Sequence, residues 1–453
     1  MSLYEYQKSA IEAWKNAENV GMLSMATGTG KTFTALFAIE QLLDQGNPVL
    51  ILVPSKLLLD QWKEAITKIY PDVPVLMAGG RYSWKKNRNK RMFISRMKLS
   101  RIILSTMDTA ISTDFMEFFS QAQNPVLVAD EAHRLGSEGH REILSLDFSA
   151  RLGLSATPER LFDEKGSQIL EASFGGTPVF TLDIGQSVKL REGDPNDVPI
   201  LGYFLSPYDY YFYPVELSKR EQTEWDRITN EVKHTVAMIM SREGEEGLRA
   251  NVHLGLLLIE RARIVKKAEN KVEIVNQIVA EKYPSTGKWI VYCEDEEQLD
   301  LVAASLRNSN QDTVILEYHS KMEKEKRNRA LEYFKDNPSI IVSIRCLDEG
   351  VDIPSADGAI ILASSSNPRQ YIQRRGRVLR KAGDKKSATI IDVVVLPKSD
   401  EKEIPFSIIK GELGRAWNFA ENARNRDITH ELWKLCVKYG VNPNIDPQLG
   451  MEE

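Results

Sequence analysis

Eight residues near the amino terminus have the makings of a phosphate cradle. Met25-Ala26-Thr27-Gly28-Thr29-Gly30-Lys31-Thr32 follows the apolar run Val20–Met25 and opens a helical pattern at Thr32. A glycine-rich turn leaves backbone N–H groups pointing inward, where the helix N-terminus also favours negative charge. Thr27, Gly28, Thr29 and Gly30 would line such a cradle. Lys31 is placed to reach β- and γ-phosphates and the Thr32 hydroxyl to ligate a magnesium ion. Glycine usually opens this pattern; Met25 holds that place here, and the Gly-Thr-Gly-Lys-Thr turn is intact. About a hundred residues later the apolar run 126–129 ends in Asp130-Glu131-Ala132-His133. An aspartate at a strand end suits a nucleotide-bound magnesium ion, and the adjacent Glu131 suits a general base acting on water.

Turns of this kind need strands that end at a common edge. Uninterrupted Val/Ile/Leu-rich runs recur at 48–54, 101–106, 125–133 and 151–158, then at 288–293, 313–319, 339–344, 358–363 and 388–395. Runs without alternation read as strands buried on both faces, as in parallel sheets. Helical patterns between them, such as 32–43 and 56–69, imply βαβ units and an α/β fold. Residues 215–283 differ, with long helical periodicity and a charged turn at 241–247. Pro, Gly and Asp at 191–200 suit a loop, and the tail is helical over 414–426 and 427–439. The expected division is therefore 1–200, a helical insert at 201–284, 285–400, and a helical tail at 401–453.

Composition narrows the classes. The chain has 453 residues, 42% hydrophobic and 27% charged, which excludes disorder as its dominant state. At roughly 150 residues per domain, about two to four domains are expected. The longest apolar runs fall far short of the roughly 18 residues a membrane helix needs, so no membrane partner is expected. The first residues lack a cationic patch followed by an apolar core, so no secretory signal is expected. Cys293, Cys346 and Cys436 are scattered and fit a reducing, cytoplasmic setting. No His/Cys cluster has metal-ligand spacing, so a structural zinc is not expected. A net charge of −5 argues against coating nucleic acid wholesale and leaves room for a local basic track.

The motifs, in their order, resemble those of superfamily 2 nucleic-acid helicases and translocases over residues 3–395. They are most similar to the branch holding the xeroderma pigmentosum group B repair helicases, RadD-like proteins and the motor subunits of type III restriction enzymes. The resemblance implies an α/β chain of two RecA-like P-loop domains with parallel sheets, plus a helical insert between them. It implies ATP and Mg²⁺ as cofactors. Leu3–Gln7 resembles the element whose glutamine reads adenine, which makes Gln7 the candidate. Val53–Trp62 resembles the first strand-contacting motif, with Ser55, Lys56 and Gln61 as contacts and Trp62 as core. Gly79, Gly80 and Arg81 resemble the glycine pair that admits a backbone phosphate. Ser105 and Thr106, in Ser-Thr-Met-Asp, resemble the next contact turn. Ser155 and Thr157, in Ser-Ala-Thr-Pro, resemble the motif that couples hydrolysis to strand binding. In the second half, residues 343–354 resemble the motif touching both nucleotide and nucleic acid, with Ser343, Gly350 and Asp352 in its pattern. Residues 370–380 match Q-x-x-G-R-x-x-R at Gln373, Gly376, Arg377 and Arg380. Arg377 and Arg380 are thereby candidate fingers for the γ-phosphate, joining Lys31 and Glu131 as catalytic candidates.

A basic track fits the same partner. Residues 81–101 hold nine Lys/Arg and no acid, with Tyr82, Trp84 and Phe93 interleaved. This stretch grips phosphates, stacks a base, or is a solvated loop. The resemblance favours DNA, duplex or forked, over RNA, and about fifty residues after 400 leave little room for a further domain. A separate nuclease or specificity subunit is the expected complement, in DNA repair, restriction or genome defence. An RNA helicase, and a nucleotide-gated clamp with little turnover, remain as alternatives.

Overall fold

In the computed structural model, residues 2–95, 97–155, 164–310, 312–344, 356–363, 374–381, 383, 385–398 and 407–442 are described. They fall into two compact units, Met1–Phe204 and Leu205–Glu453.

The first unit is built on a seven-stranded parallel sheet: β1 (Val20–Met25), β2 (Pro48–Val53), β3 (Val75–Ala78), β4 (Arg101–Thr106), β5 (Val126–Asp130), β6 (Ala150–Ser155) and β7 (Phe180–Leu182). Their order is β3-β4-β2-β5-β6-β1-β7. Every residue of β2, β4 and β5 is buried. This is why the sequence shows continuous apolar runs there rather than alternation. The connecting helices include α1 (Glu5–Asn16), α2 (Lys31–Asp44) and α3 (Lys56–Ile69), followed by α4 (Met107–Ala110), α5 (Thr113–Phe119) and α6 (Glu164–Phe174). A small antiparallel pair, β8 (Ser187–Val188) and β9 (Val198–Pro199), and the short α7 (Ile200–Tyr203) complete the unit.

The second unit holds a six-stranded parallel sheet in the order β10-β15-β14-β11-β13-β12. Its strands are β10 (Tyr208–Val215), β11 (Lys288–Tyr292), β12 (Ile315–Tyr318), β13 (Ser339–Ser343), β14 (Gly358–Ile361) and β15 (Ala388–Val395). The stretch expected as a helical insert thus begins with an edge strand of this sheet. Pro214 lies within β10, and an edge position tolerates a residue without an N–H. The long helix α8 (Lys219–Ala250) starts with a Ser218/Glu221 capping box and packs on α9 (Val252–Lys267). Ile228, Val232, Val236 and Ile239 meet Leu254, Leu257 and Leu258 in a core of their own. Trp225, Val265 and residues of α10 (Asn270–Lys282) join the main core of the sheet. The helices α11 (Glu296–Ser309), α12 (Lys324–Asp336), α13 (374–378), α14 (Ile408–Glu421) and α15 (Asp427–Lys438) complete the unit. Among the described residues, no helix is long and apolar enough to cross a membrane.

The basic stretch 81–101 takes a form that charge alone does not suggest. Trp84 and Phe93 are buried in the apolar core with Phe115, Phe118 and Phe119, so neither is available to stack a base. Arg101, at the start of β4, is buried as well. Its guanidinium donates to the carbonyls of Phe93, Ser95, Met97 and Leu99. It serves as an internal hub, because loop carbonyls with no strand partner must find donors elsewhere. Arg96 lies outside the described residues. Arg101→Met removes this hub and leaves buried acceptors unpaired. It is expected to lower stability by about 3 kcal/mol, and limited proteolysis and chemical denaturation would register the loss around residues 93–99.

Candidate functional site

The strand order decides which motifs meet. In a parallel sheet all carboxyl ends lie on one edge. β6 sits between β1 and β5, with Ser155 beside Ser24 and Asp130 beside Leu154. The phosphate-cradle turn after β1, Ser155 at the end of β6 and Asp130 at the end of β5 are therefore neighbours, although about 130 residues of chain separate the first from the second. The ends of β2, β4 and β3 lie further along the same edge, with Val53 beside Thr106 and Ser105 beside Ala78.

The cradle itself is shaped by two left-handed glycines, Gly28 (φ 83°) and Gly30 (φ 84°). Gly30 immediately precedes α2, so the helix N-terminus faces the turn with Lys31 and Thr32 in its first turn. Thr27, Lys31 and Thr32 are half-buried and Gly28 is exposed. Thr29 is buried and its hydroxyl donates to the Ala26 carbonyl at 2.7 Å, so its side chain braces the turn rather than facing a ligand. Helix α1 supports the turn from outside. The Tyr6 hydroxyl donates to the Thr29 carbonyl at 2.7 Å. Gln7 is buried, and a Cβ at Gly30 would lie 2.9 Å from its Nε2. Its Oε1 accepts the Tyr4 N–H at 3.0 Å, which already commits one side of the candidate adenine-reading amide.

The carboxylate pair has a strained and enclosed setting. Asp130 is 8% exposed. Burial pushes its carboxyl above the usual range, opposed by the Trp62 N–H and the charge of Lys31. The Trp62 indole Nε1 donates to Asp130 Oδ2 at 2.8 Å. Glu131 follows with φ 51°, a left-handed backbone that costs a glutamate strain. His133 Nδ1 lies 3.5 Å from Glu131 Oε2 and 3.2 Å from Ser155 Oγ. The hydroxyl of Ser155 is thus joined to the acidic loop, while Thr157 lies outside the described residues. A buried carboxylate and a helix-start threonine hydroxyl are hard oxygen donors, and that set fits Mg²⁺.

The strand-contact candidates form a second cluster. Ser55 caps α3, accepting the Leu58 N–H at 3.3 Å, and Lys56 beside it is exposed. Gly79 (φ 111°) sits so tightly on Thr106 that a Cβ would lie 2.5 Å from its Oγ1, and Gly80 lies against the Lys56 side chain. Arg81 pairs with Asp60 at 3.3 Å and covers the Tyr82 ring. Gln61 is half-buried on the same helix. Ser105 and Ser343 depart from expectation. Both are fully buried at strand ends, and each hydroxyl donates to the next residue's carbonyl, which closes it to a ligand in this conformation.

In the second unit, the arginine-rich segment divides its labour. Arg374 and Arg375 are buried: one donates to the Ala363 carbonyl at 2.6 Å, the other to Asn418 Oδ1 at 3.0 Å on α14. Gly376 is buried, Arg377 half-buried and Arg380 exposed. Gln373, Gly350 and Asp352 lie outside the described residues.

Trp62 is the functional neighbour that sequence reasoning placed only in the core. A tryptophan N–H that is buried needs an acceptor, and that is the signal that points to Asp130. Trp62→Phe keeps an aromatic ring, smaller than the indole, and removes the hydrogen bond. It is expected to cost about 1 kcal/mol of stability and to weaken binding of Mg²⁺-nucleotide severalfold, measured by titration calorimetry of the two proteins.

Comparison with known proteins agrees with these elements. Residues 1–160 match the type III restriction enzyme res subunit family, and residues 270–382 match the helicase conserved C-terminal domain. The chain is 27% identical over 425 residues to the DNA 3'-5' translocase XPB2 of Sulfurisphaera tokodaii, covering 88% of this chain and 83% of that protein. It is 24% identical over 402 residues to the DNA 3'-5' helicase XPB of Kineococcus radiotolerans, covering 88% and 61%. Among solved structures, the helicase domain of Pyrococcus furiosus Hef superposes with a TM-score of 0.51 at 16% identity, covering 87% of this chain and 97% of that one. The ATP-dependent type ISP restriction-modification enzyme LlaBIII bound to DNA gives 0.61 at 19% identity, covering 93% of this chain and 30% of that enzyme. The two parallel sheets have the RecA-like fold of these helicase structures, and the chain joins a type III restriction enzyme res subunit domain to a helicase conserved C-terminal domain, as superfamily 2 helicases and translocases do.

Proposed function

We propose that this chain is an ATP-dependent DNA helicase or double-stranded DNA translocase. The observation that carries the proposal is the neighbourhood at one sheet edge of the Lys31 turn, Asp130–Glu131 and Ser155, with Trp62 linking Asp130 to the helix that bears Ser55 and Lys56. In this reading the backbone N–H groups of 28–32 and the Lys31 ammonium bind the phosphates of ATP. Thr32 and Asp130 would hold Mg²⁺, which when bound would supply positive charge to offset that of the phosphates. Glu131 takes a proton from the attacking water. Arg377 and Arg380 of the second unit bear on the charge that spreads over the γ-phosphoryl group, a contribution worth about 10³–10⁵ in rate in motors of this chemistry. His133 and Ser155 pass the state of the acidic loop to the segment after β6.

DNA is favoured over RNA because the named relatives XPB2 and XPB act on DNA. The contact cluster of Ser55, Lys56, Gly80 and Arg81 binds the phosphodiester backbone, with Gly79 and Thr106 shaping the turn beneath it. Residues 219–267 act as a thumb-like pair of helices, and a separate nuclease or specificity subunit directs the motor. Repair, restriction or genome defence is the setting that this resemblance suggests.

Phosphate release should be stimulated most by duplex DNA, less by single-stranded DNA and least by RNA. Strongest stimulation by RNA would reverse the choice of substrate. Glu131→Gln should bind ATP with wild-type affinity and lose at least about 10²-fold in turnover. Undiminished turnover in that variant would remove Glu131 as the base.

A further inference from the structure

Lys271 lies in the first turn of α10 with no exposure to solvent, a costly place for an ammonium group unless it is paired and hydrogen-bonded. Its Nζ donates to the carbonyl of Leu362 and to that of Lys266. Leu362 and Ala363 are the two residues that follow β14, and their N–H groups both donate to the Tyr292 carbonyl at 3.0 Å. Arg374 donates to the Ala363 carbonyl, and its guanidinium lies 5.0 Å from the centre of the Tyr292 ring. Two buried cations therefore hold consecutive carbonyls at the end of one strand. Arg374 lies in the described part of α13, on which Arg377 stands one turn later.

The other side of Lys271 explains how the charge is tolerated. Arg415 of α14 is fully buried between Asp392 of β15 and Glu412, at 3.0 and 2.5 Å, and the Tyr210 hydroxyl donates to Asp392 at 3.3 Å. Asp392, Glu412 and Glu294 favour the charged lysine, while Arg415 and burial oppose it. Arg374 and the Cys293 thiol share the same enclosure. Asp392 and Glu412 together carry two negative charges against the one of Arg415, and Lys271 balances the set.

We infer that Lys271 is a positioning residue for nucleotide hydrolysis: its ammonium fixes the end of β14 and, through the paired carbonyls, the seat of the helix that carries Arg377. The inference rests on the function proposed above, in which Arg377 acts on the γ-phosphate. Burial holds the Lys271 ammonium down to about 8. It is therefore charged at neutral pH and loses its proton as pH rises through that value. The neutral amine leaves Asp392 and Glu412 in excess of Arg415 and weakens its hold on Leu362.

The test is steady-state ATP hydrolysis by the full chain with saturating duplex DNA, for wild type and Lys271→Met, across about pH 7 to 9.5. Lys271→Met should lower kcat about tenfold or more while KM for ATP stays within about twofold. DNA binding without nucleotide should be retained. The wild-type kcat should fall above about pH 8, and the variant should lack that fall. A wild-type kcat in the variant, or an alkaline fall that persists in it, overturns the inference. Should the methionine variant not fold, Lys271→Gln carries the same two readings. Should neither fold, a wild-type kcat that stays flat to about pH 9.5 overturns it alone, and a fall supports it. A wild-type protein that hydrolyses no ATP with any nucleic acid would instead sink the functional reading, a distinguishable result.

Discussion

The hydrogen bond from Trp62 to Asp130 ties together two surfaces that the chain builds separately. Trp62 belongs to α3, whose first turn holds Ser55 and Lys56, and Asp130 ends the strand that carries the acidic loop. The indole ring is fully packed, so the helix cannot shift along the sheet without dragging or breaking this contact. In the proposed function such a joint would carry occupancy of the phosphate turn to the helix that bears Ser55 and Lys56, and a buried donor–acceptor pair responds to displacement more sharply than a solvent-exposed one. Tyr6 with Thr29, and His133 with Ser155, repeat the device around the same edge.

Much of the architecture was legible in the amino-acid order. Continuous apolar runs gave the central strands because both faces of β2, β4 and β5 are covered, and α3 begins and ends where its periodicity does. The misses have physical causes. β3 contributes only four residues, too few for a pattern to emerge. β10 is aromatic-rich and contains Pro214, which speaks against a central strand but not against an edge. Ser105 and Ser343 have the residue type of a contact, and what separates them from one is their complete burial, which residue type does not encode. Trp84 and Phe93 were open to opposite readings because an aromatic beside lysines is equally at home under a loop or on it.

The second unit stores its polarity inside. Arg415, Asp392, Glu412 and Lys271 are enclosed with both signs matched, and Arg374 and Arg375 are spent on internal acceptors. Replacing such a set by apolar side chains of similar volume is often neutral or stabilising in proteins, so stability alone does not account for it. What the arrangement adds is direction: each guanidinium donates in only a narrow range of geometries, which fixes the carbonyls and carboxylates that it meets.

The buried guanidinium of Arg101 carries a consequence for how this chain can vary. Because one internal cation satisfies the carbonyls of Phe93, Ser95, Met97 and Leu99, the loop owes its shape to that residue and to its aromatic underside. Lys85 pairs with Asp114 of α5, whereas Lys86, Arg88 and Arg91 stand on its exposed exterior and contribute little to keeping it in place. Their number and sign are free to drift. The attraction of this face for a polyanion is thereby tunable by surface exchange, with the scaffold beneath indifferent to the setting.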